Sequence, residues 1–284
     1  MRLHENMRVR QGGSINAAAE QYAAWLLQLG NGGIPHASSQ TDPSLIQLPP
    51  SLCMPAYVPL LLHWTFPNLE ARYTDRVWLS TRCILAAKNV DVEAINTACL
   101  QCIPAAPWIC YSADAIIDDD NQVGVPPEYL NTLMPSGTPP HKLILKKGIP
   151  VILLHNLNPY RGTRLFVINM YDGRLLEAAN IGGQFDGDVV LIPRIACYPK
   201  DGDFLFEWRR RQFPVRLCFA MTINKSQGQT LQRAGICFPE DVFAHGQLYV
   251  AASRVLHPDN IRFALKHSPR SSVTTNIVYQ DVIN

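Results

Sequence analysis

Strand-then-helix alternation stops and restarts in this chain, and that interruption limits the folds open to it. "RCILAAKNVDVEAINTACL" offers a short apolar run, Ile84–Ala87, then Asn89 as a cap, then helical spacing. Strand followed by helix is the repeating unit of an α/β domain. From about 143 to 215 helical spacing is lost. "KLILKKGIPVILLHNL", "TRLFVINMYDGRLLEAANI", "GDVVLIPRIACY" and "DFLFEWRRR" read as short strands, with a hairpin turn at Asp172-Gly173. Short strands this closely spaced predict a small barrel. After 215 the rhythm resumes through "VRLCF", "TINKSQG", "RAGICF" and "GQLYVAASRV". The expectation is an α/β domain carrying a β-rich insertion. Upstream, "NAAAEQYAAWLLQLG" has helical spacing closed by glycine, and the Pro-rich residues 31–75 read as a wrapping connection.

At 284 residues and 47% hydrophobic content, the chain can bury a sizeable core. A net charge of +2 neither demands nor excludes a nucleic-acid partner, so individual basic positions must carry that argument. "MRLHENMRVRQ" has no apolar core of a secretory signal, and no run approaches a membrane span. An intracellular chain with reduced cysteines and no membrane partner is expected. Cys99 and Cys102 form a CxxC with no second pair at zinc spacing, which reads as helix packing. Asp118–Asp120 lacks the glycine and bidentate acid of a calcium loop and reads as a solvated turn. No metal site is expected.

Four stretches can carry chemistry. In "AMTINKSQGQTL", Thr222 is a good N-cap, and Gly228 can end a helix of about two turns whose free N–H groups would face an anion. Lys225, Ser226 and Gln227 would project at the loop edge, where such side chains hold phosphate oxygens. A capped helix with solvated polar residues is the other reading. In "HGQLYVAASRV", Leu248, Ala251, Ala252 and Val255 share a core-facing side, which leaves Arg254 beside the seam near the helix C-terminus. There it either complements the helix dipole or serves as an arginine finger on a γ-phosphate. "FEWRRRQFPVR" interleaves Trp208 and Phe213 with Arg209, Arg210, Arg211 and Arg216. That suits either a single-strand groove or a charge-blunted strand edge. In "LHENMRV", Arg8 follows Asn6 with no evident structural task.

The order of "LHENMRV", "ILAAKNVDVEAIN", "EYLNTLMPSGTPPHKLILKKGIPVILLHNLNP", "AMTINKSQGQTL" and "HGQLYVAASRV" resembles the C-terminal half of Pif-one-like DNA helicases, including those of Helitron transposons. The resemblance covers nearly the whole chain. It implies the second RecA-like domain of a superfamily-one helicase, interrupted by a small Src-homology-type β-barrel. The family moves 5′ to 3′ on single-stranded DNA and unwinds duplexes with ATP and magnesium. Its members work in repair, recombination and telomere maintenance, in the nucleus or mitochondrion.

The implied layout is 1–75 as the end of the first motor domain and linker, and 76–105 as the start of the second RecA-like domain. The inserted 2B-type domain is 106–215, and 216–284 completes the RecA-like domain. By the resemblance, Arg8 matches the motif IV arginine and Arg254 the motif VI finger. Thr222, Lys225, Ser226, Gln227 and Gly228 match motif V, which couples DNA to ATP, while Gln247 and Tyr249 belong to the motif VI helix. His141, Lys142, Lys146 and Lys147 match the start of the insertion, and the expected DNA contacts are His141, Lys142, Lys146, Arg209 and Arg210.

The family's first motor domain has no counterpart here. No G-x-x-x-x-G-K-[ST] phosphate loop occurs in the 284 residues, nor do the family's magnesium-binding acidic motif and glutamine motif. "VAASRV" replaces the family's Ala-Leu-Ser-Arg, a lost side chain expected to loosen the helix by a few kcal/mol. The resulting expectation is part of a helicase, inactive alone, that would need a separate N-terminal motor domain. A non-catalytic single-strand-binding module and a transposon-derived remnant are the alternatives.

Overall fold

The computed structural model describes residues 17–37, 42, 44–117, 125–155, 164–183, 185–199, 204, 206–266 and 272–279. Two compact units share the chain. The first combines residues up to Leu69 with Thr81–Cys99 and the stretch from Phe219 onward. The second comprises Glu70–Ser80 and Leu100–Cys218.

The first unit is built on a five-stranded sheet, ordered Ala220–Thr222, Arg82–Ala86, Arg233–Phe238, Ile261–Leu265 and Cys53–Pro55. Every pairing in it is parallel. The three middle strands are buried almost end to end, as expected where both faces of a parallel sheet are covered. Helix Val58–Thr65 lies so close that a Cβ on Gly235 would meet Thr65 Oγ1 at 2.4 Å and Leu61 Cδ1 at 2.8 Å. Only glycine admits that approach.

The predicted strand–helix pair is present as Arg82–Ala86 and Asn89–Gln101. Asn89 is the first helical residue rather than the cap. Buried Asn96 on this helix holds the edge strand: its Nδ2 donates to Ala220 O at 3.1 Å, and its Oδ1 accepts from Ala220 N at 2.8 Å. Helix Ala17–Gly30 joins the same unit, with the Tyr22 hydroxyl donating to Ala252 O at 2.9 Å.

The second unit is antiparallel throughout. Its five-stranded sheet runs Val189–Pro193, Leu175–Asn180, Arg164–Tyr171, Pro150–Leu153, Val215–Leu217. A three-stranded sheet pairs Ile195–Cys197, Trp208–Gln212 and Ala113–Ile116, and a two-stranded one pairs Pro107–Tyr111 with Lys142–Lys146. The expected hairpin forms at Asp172-Gly173, both at positive φ (48° and 65°), as the primed turn of a twisted hairpin requires. Arg164, buried under this sheet, donates to Ser80 O and Leu79 O and so closes the C-terminal end of helix Arg76–Ser80. Asp118–Asp120 lies outside the described residues.

Candidate functional site

Where the sequence predicts a two-turn helix after Thr222, the structure has only a 3-10 turn, Ile223–Ser226. Thr222 ends the edge strand and makes no side-chain cap bond. The fully buried Ile223 anchors this turn in the core, and Gly228 at φ 81° redirects the chain two residues after it ends. So short a turn presents no row of free N–H groups to an anion, and that part of the expectation is corrected. Lys225 and Gln227 are exposed, as predicted. Ser226 is not: it is fully buried, and its Oγ donates to Ile223 O at 2.6 Å, so its hydroxyl belongs to the turn.

Arg254 follows helix Gln247–Ala252 and is 7% exposed. Its Nη1 donates to Ser226 O at 3.0 Å and Gln229 O at 3.1 Å, and its Nε donates to Val250 O at 2.8 Å. Its Nη2 reaches Ser253 Oγ at 2.8 Å, while its own carbonyl accepts from Leu231 N at 2.8 Å. The guanidinium therefore ties the helix to the loop at residues 226–231. The Gln247 side chain is buried and accepts from Phe243 N at 3.2 Å. Tyr249 packs its ring over Gly30, where a Cβ would come within 3.0 Å. Ala252, where the resemblance implies a leucine, is fully buried, and its carbonyl accepts from the Tyr22 hydroxyl. Arg8 lies outside the described residues.

In the second unit, Trp208–Gln212 alternates buried and exposed residues. Arg210 faces inward with no exposure. Its Nε and Nη2 bind the Asp114 carboxylate at 2.7–3.1 Å. Its remaining N–H groups go to Leu130 O, Leu133 O and Pro139 O. All five donors are used, so Arg210 is a buried organiser and not a DNA contact. The interleaved aromatics are likewise inside: Trp208 and Phe213 are buried. Lys146 is also reassigned, because its ammonium donates to Leu100 O at 3.1 Å and Ile103 O at 2.5 Å. His141 is half-buried, with its Nδ1 at 2.8 Å from Ser112 Oγ, which itself donates to Asp114 Oδ1. Lys142, Lys147, Arg209 and Arg211 are exposed.

A family model described as "DNA helicase Pif1, 2B domain" matches residues 128–170, and a herpes-type model described as "Helicase" matches 212–278. The ATP-dependent DNA helicase PIF1 of Xenopus laevis is 30% identical over 190 residues, covering 65% of this chain and 27% of the relative. The crystal structure of Pif1 helicase from Candida albicans superposes with a TM-score of 0.60 at 20% identity, over 98% of this chain and 58% of that one. This chain is Pif1-like. It spans less than a third of the length of the curated relatives it matches. A Bacteroides Pif1 helicase solved in complex with ADP-AlF3 and single-stranded DNA shares the fold at TM-score 0.53 and 18% identity, over 90% of this chain and 56% of that one.

Sequence reasoning missed two residues that organise the Pif1-like chain. Asp114, in an unremarkable "SADAI", is the counter-ion of Arg210. The period-2 placement of Arg210 between Trp208 and Gln212 was the available sign that it turns inward. Asn96 was read only as part of a helix, and no local signal marks its bonds to a strand more than a hundred residues away.

Proposed function

We propose that this chain is the part of an ATP-dependent, 5′-to-3′ DNA helicase that forms one wall of the nucleotide cleft, and that residues 1–284 alone do not turn over ATP. The observation that carries the reading is the tie between Arg254 and the loop at Ser226–Leu231. It joins the group expected at the γ-phosphate to the loop expected on the DNA side, so a shift in one must be felt by the other. The parallel sheet would be the second RecA-like domain. The antiparallel unit, within which the 2B model falls, would be its Src-homology-type insertion.

ATP and magnesium would be completed by a motor domain carrying the phosphate loop. Among the described residues there is no cluster of three or more side chains able to ligate a metal, so no step is assigned to magnesium here. In this reading Arg254 supplies positive charge as the phosphoryl group transfers, an effect worth roughly 10³–10⁵ in rate for such arginines. Single-stranded DNA is the proposed partner. Nuclear or mitochondrial residence, and roles in repair, recombination or telomere maintenance, go with the family reading.

The test is an ATPase assay on the chain alone and on the chain joined to a Pif1-type P-loop domain, each with and without single-stranded DNA. No turnover alone and DNA-stimulated turnover after joining is the expected result. Turnover by the chain alone above an Arg254→Ala control would overturn the reading.

A further inference from the structure

We infer that the C-terminal stretch Asn276–Tyr279 is a clasp that positions Arg254 from the far end of the helix before it. Asn276 and Tyr279 are then positioning residues for that arginine. The inference rests on reading Arg254 as the group that meets the transferring phosphate, and it adds a control in a segment outside both motif stretches.

Helix Gln247–Ala252 has no capping side chain, because the residue before it is Gly246, at φ 67°. Gly246 is instead held from two sides. Its carbonyl accepts from Val250 N at 2.9 Å, and its N–H donates to Ile277 O at 2.9 Å. One residue earlier, His245 Nδ1 accepts from Tyr279 N at 2.9 Å, and the two rings stack at 5.3 Å and 11°. Tyr279 is 57% exposed, so this contact and not burial sets its place.

The clasp is itself anchored. Its lead-in, Val273–Thr275, pairs antiparallel with Leu45–Gln47, and Asn276 N donates to Ser44 O at 2.8 Å. The buried Asn276 side chain donates through Nδ2 to Leu29 O at 3.0 Å. Leu29 lies in the last turn of helix Ala17–Gly30, where carbonyls lack a partner within the helix. That long helix also touches the short one directly, through Gly30 under the Tyr249 ring and the Tyr22 hydroxyl on Ala252 O. Clasp, long helix and short helix therefore form a closed circuit. Leu248, Ala251 and Ala252 are fully buried, so close packing makes the short helix move as a unit or not at all. Arg254 stands roughly 12 Å beyond Gly246 at about 1.5 Å per residue. Its carbonyl accepts from Leu231 N, so a slip at Gly246 is felt at Leu231.

The experiment follows amide exchange by NMR in the full chain, comparing Tyr279→Ala, Tyr279→Phe and Asn276→Ala with the parent. Two amides decide it: Gly246, bonded to the clasp, and Leu231, bonded to Arg254. Tyr279→Ala should speed both by roughly two- to twelvefold, the worth of one stacked ring pair. Asn276→Ala should do so by a similar factor, for one hydrogen bond. Tyr279→Phe keeps the ring and the backbone N–H and should match the parent. Equal thermal melts show that the effect is local opening; if Asn276→Ala melts early, Tyr279→Ala, at an exposed ring, carries the test. In the chain joined to a Pif1-type P-loop domain, Tyr279→Ala should lower kcat by the same factor, with KM for ATP and affinity for oligo(dT) unchanged. Faster exchange at Gly246 with Leu231 unmoved would confine the contact to its own end and overturn the inference. So would a Tyr279→Phe variant that behaves like alanine, or an unchanged kcat in a joined enzyme that turns over. A joined parent with no DNA-stimulated turnover overturns the cleft-wall reading instead, and the exchange arms still decide the clasp without ATP.

Discussion

Arg210 and Asp114 face each other across paired antiparallel strands, 0% and 1% exposed, joined through the Asp114 carboxylate at 2.7–3.1 Å. The same guanidinium also gathers three backbone carbonyls from residues 130–139. Removing one member of such a pair leaves the other charged, buried and unmatched. Arg210→Ala should therefore cost about 3–5 kcal/mol of stability, read as a fall in the urea midpoint. Arg209→Ala, one residue away and exposed, should fall within ~0.5 kcal/mol of the parent.

Arg254 predicts a local effect without any ligand. Arg254→Ala should raise amide exchange at Gln229–Leu231, because the carbonyls of Ser226 and Gln229 lose their shared donor. The change in exchange should be about tenfold or more, given ~1.5–3 kcal/mol for a bond to a charged group. In the joined enzyme, Arg254→Lys should lower ATP turnover by at least ~10³, since lysine lacks the planar fork.

Gly235→Ala tests the close approach of helix and sheet. The added methyl would stand 2.4 Å from Thr65 Oγ1 and 2.8 Å from Leu61 Cδ1, so one element must retreat. A loss of about 1–3 kcal/mol is expected, measured by thermal unfolding.

Cysteine reactivity should follow burial. Cys102 is exposed and Cys53 half-buried, while the other six cysteines are buried. Burial pushes the Cys237 thiol up to about 12 and those of Cys53 and Cys197 up to about 11. Burial, then the nearby Glu70 carboxylate, also raises Cys102, against the pull of Lys146. Iodoacetamide on the folded chain should modify Cys102 first, and slowly at neutral pH, with the rate climbing as pH rises. Peptide mapping checks this.

Asp186 carries a pH signature. The Gly182 N–H holds its carboxyl below the usual range, with Arg76 adding to the effect and slight burial opposing it. A carboxyl lowered on folding contributes stability above its unfolded pKa of about 3.9, and that contribution is lost as pH falls through the lower folded value. Asp186→Asn should thus be the less stable protein at neutral pH. The gap should close below the ordinary carboxylate range in melts recorded against pH.

Period and apolar runs were enough to place the parallel strands Arg82–Ala86 and Arg233–Phe238, the Asn89–Gln101 helix and the Asp172-Gly173 hairpin, because each rests on contacts near in sequence or on wholesale burial, whereas the parallel strands Cys53–Pro55 and Ile261–Leu265 went unread. What could not be read was set by partners far along the chain. Ser226 looks solvent-facing until Ile223 and Arg254 fix its turn in the core. Lys146 looks like a surface cation until the carbonyls of Leu100 and Ile103 come within reach. Arg210 differs, since its inward orientation follows from strand alternation, and only its dense charge company disguised it.

The return from Thr222 to Arg233 is made by residues 223–232 alone, with a 3-10 turn at its start and no α-helix. Most parallel crossovers have a helix to take up length, and that helix lets one end shift without disturbing the other. Here the path is a short cord, knotted once at Ser226–Gln229 by the guanidinium of Arg254. Because the grip falls on carbonyls either side of Gly228, a displacement of this loop must either break those bonds or carry Arg254 and the end of helix Gln247–Ala252 with it.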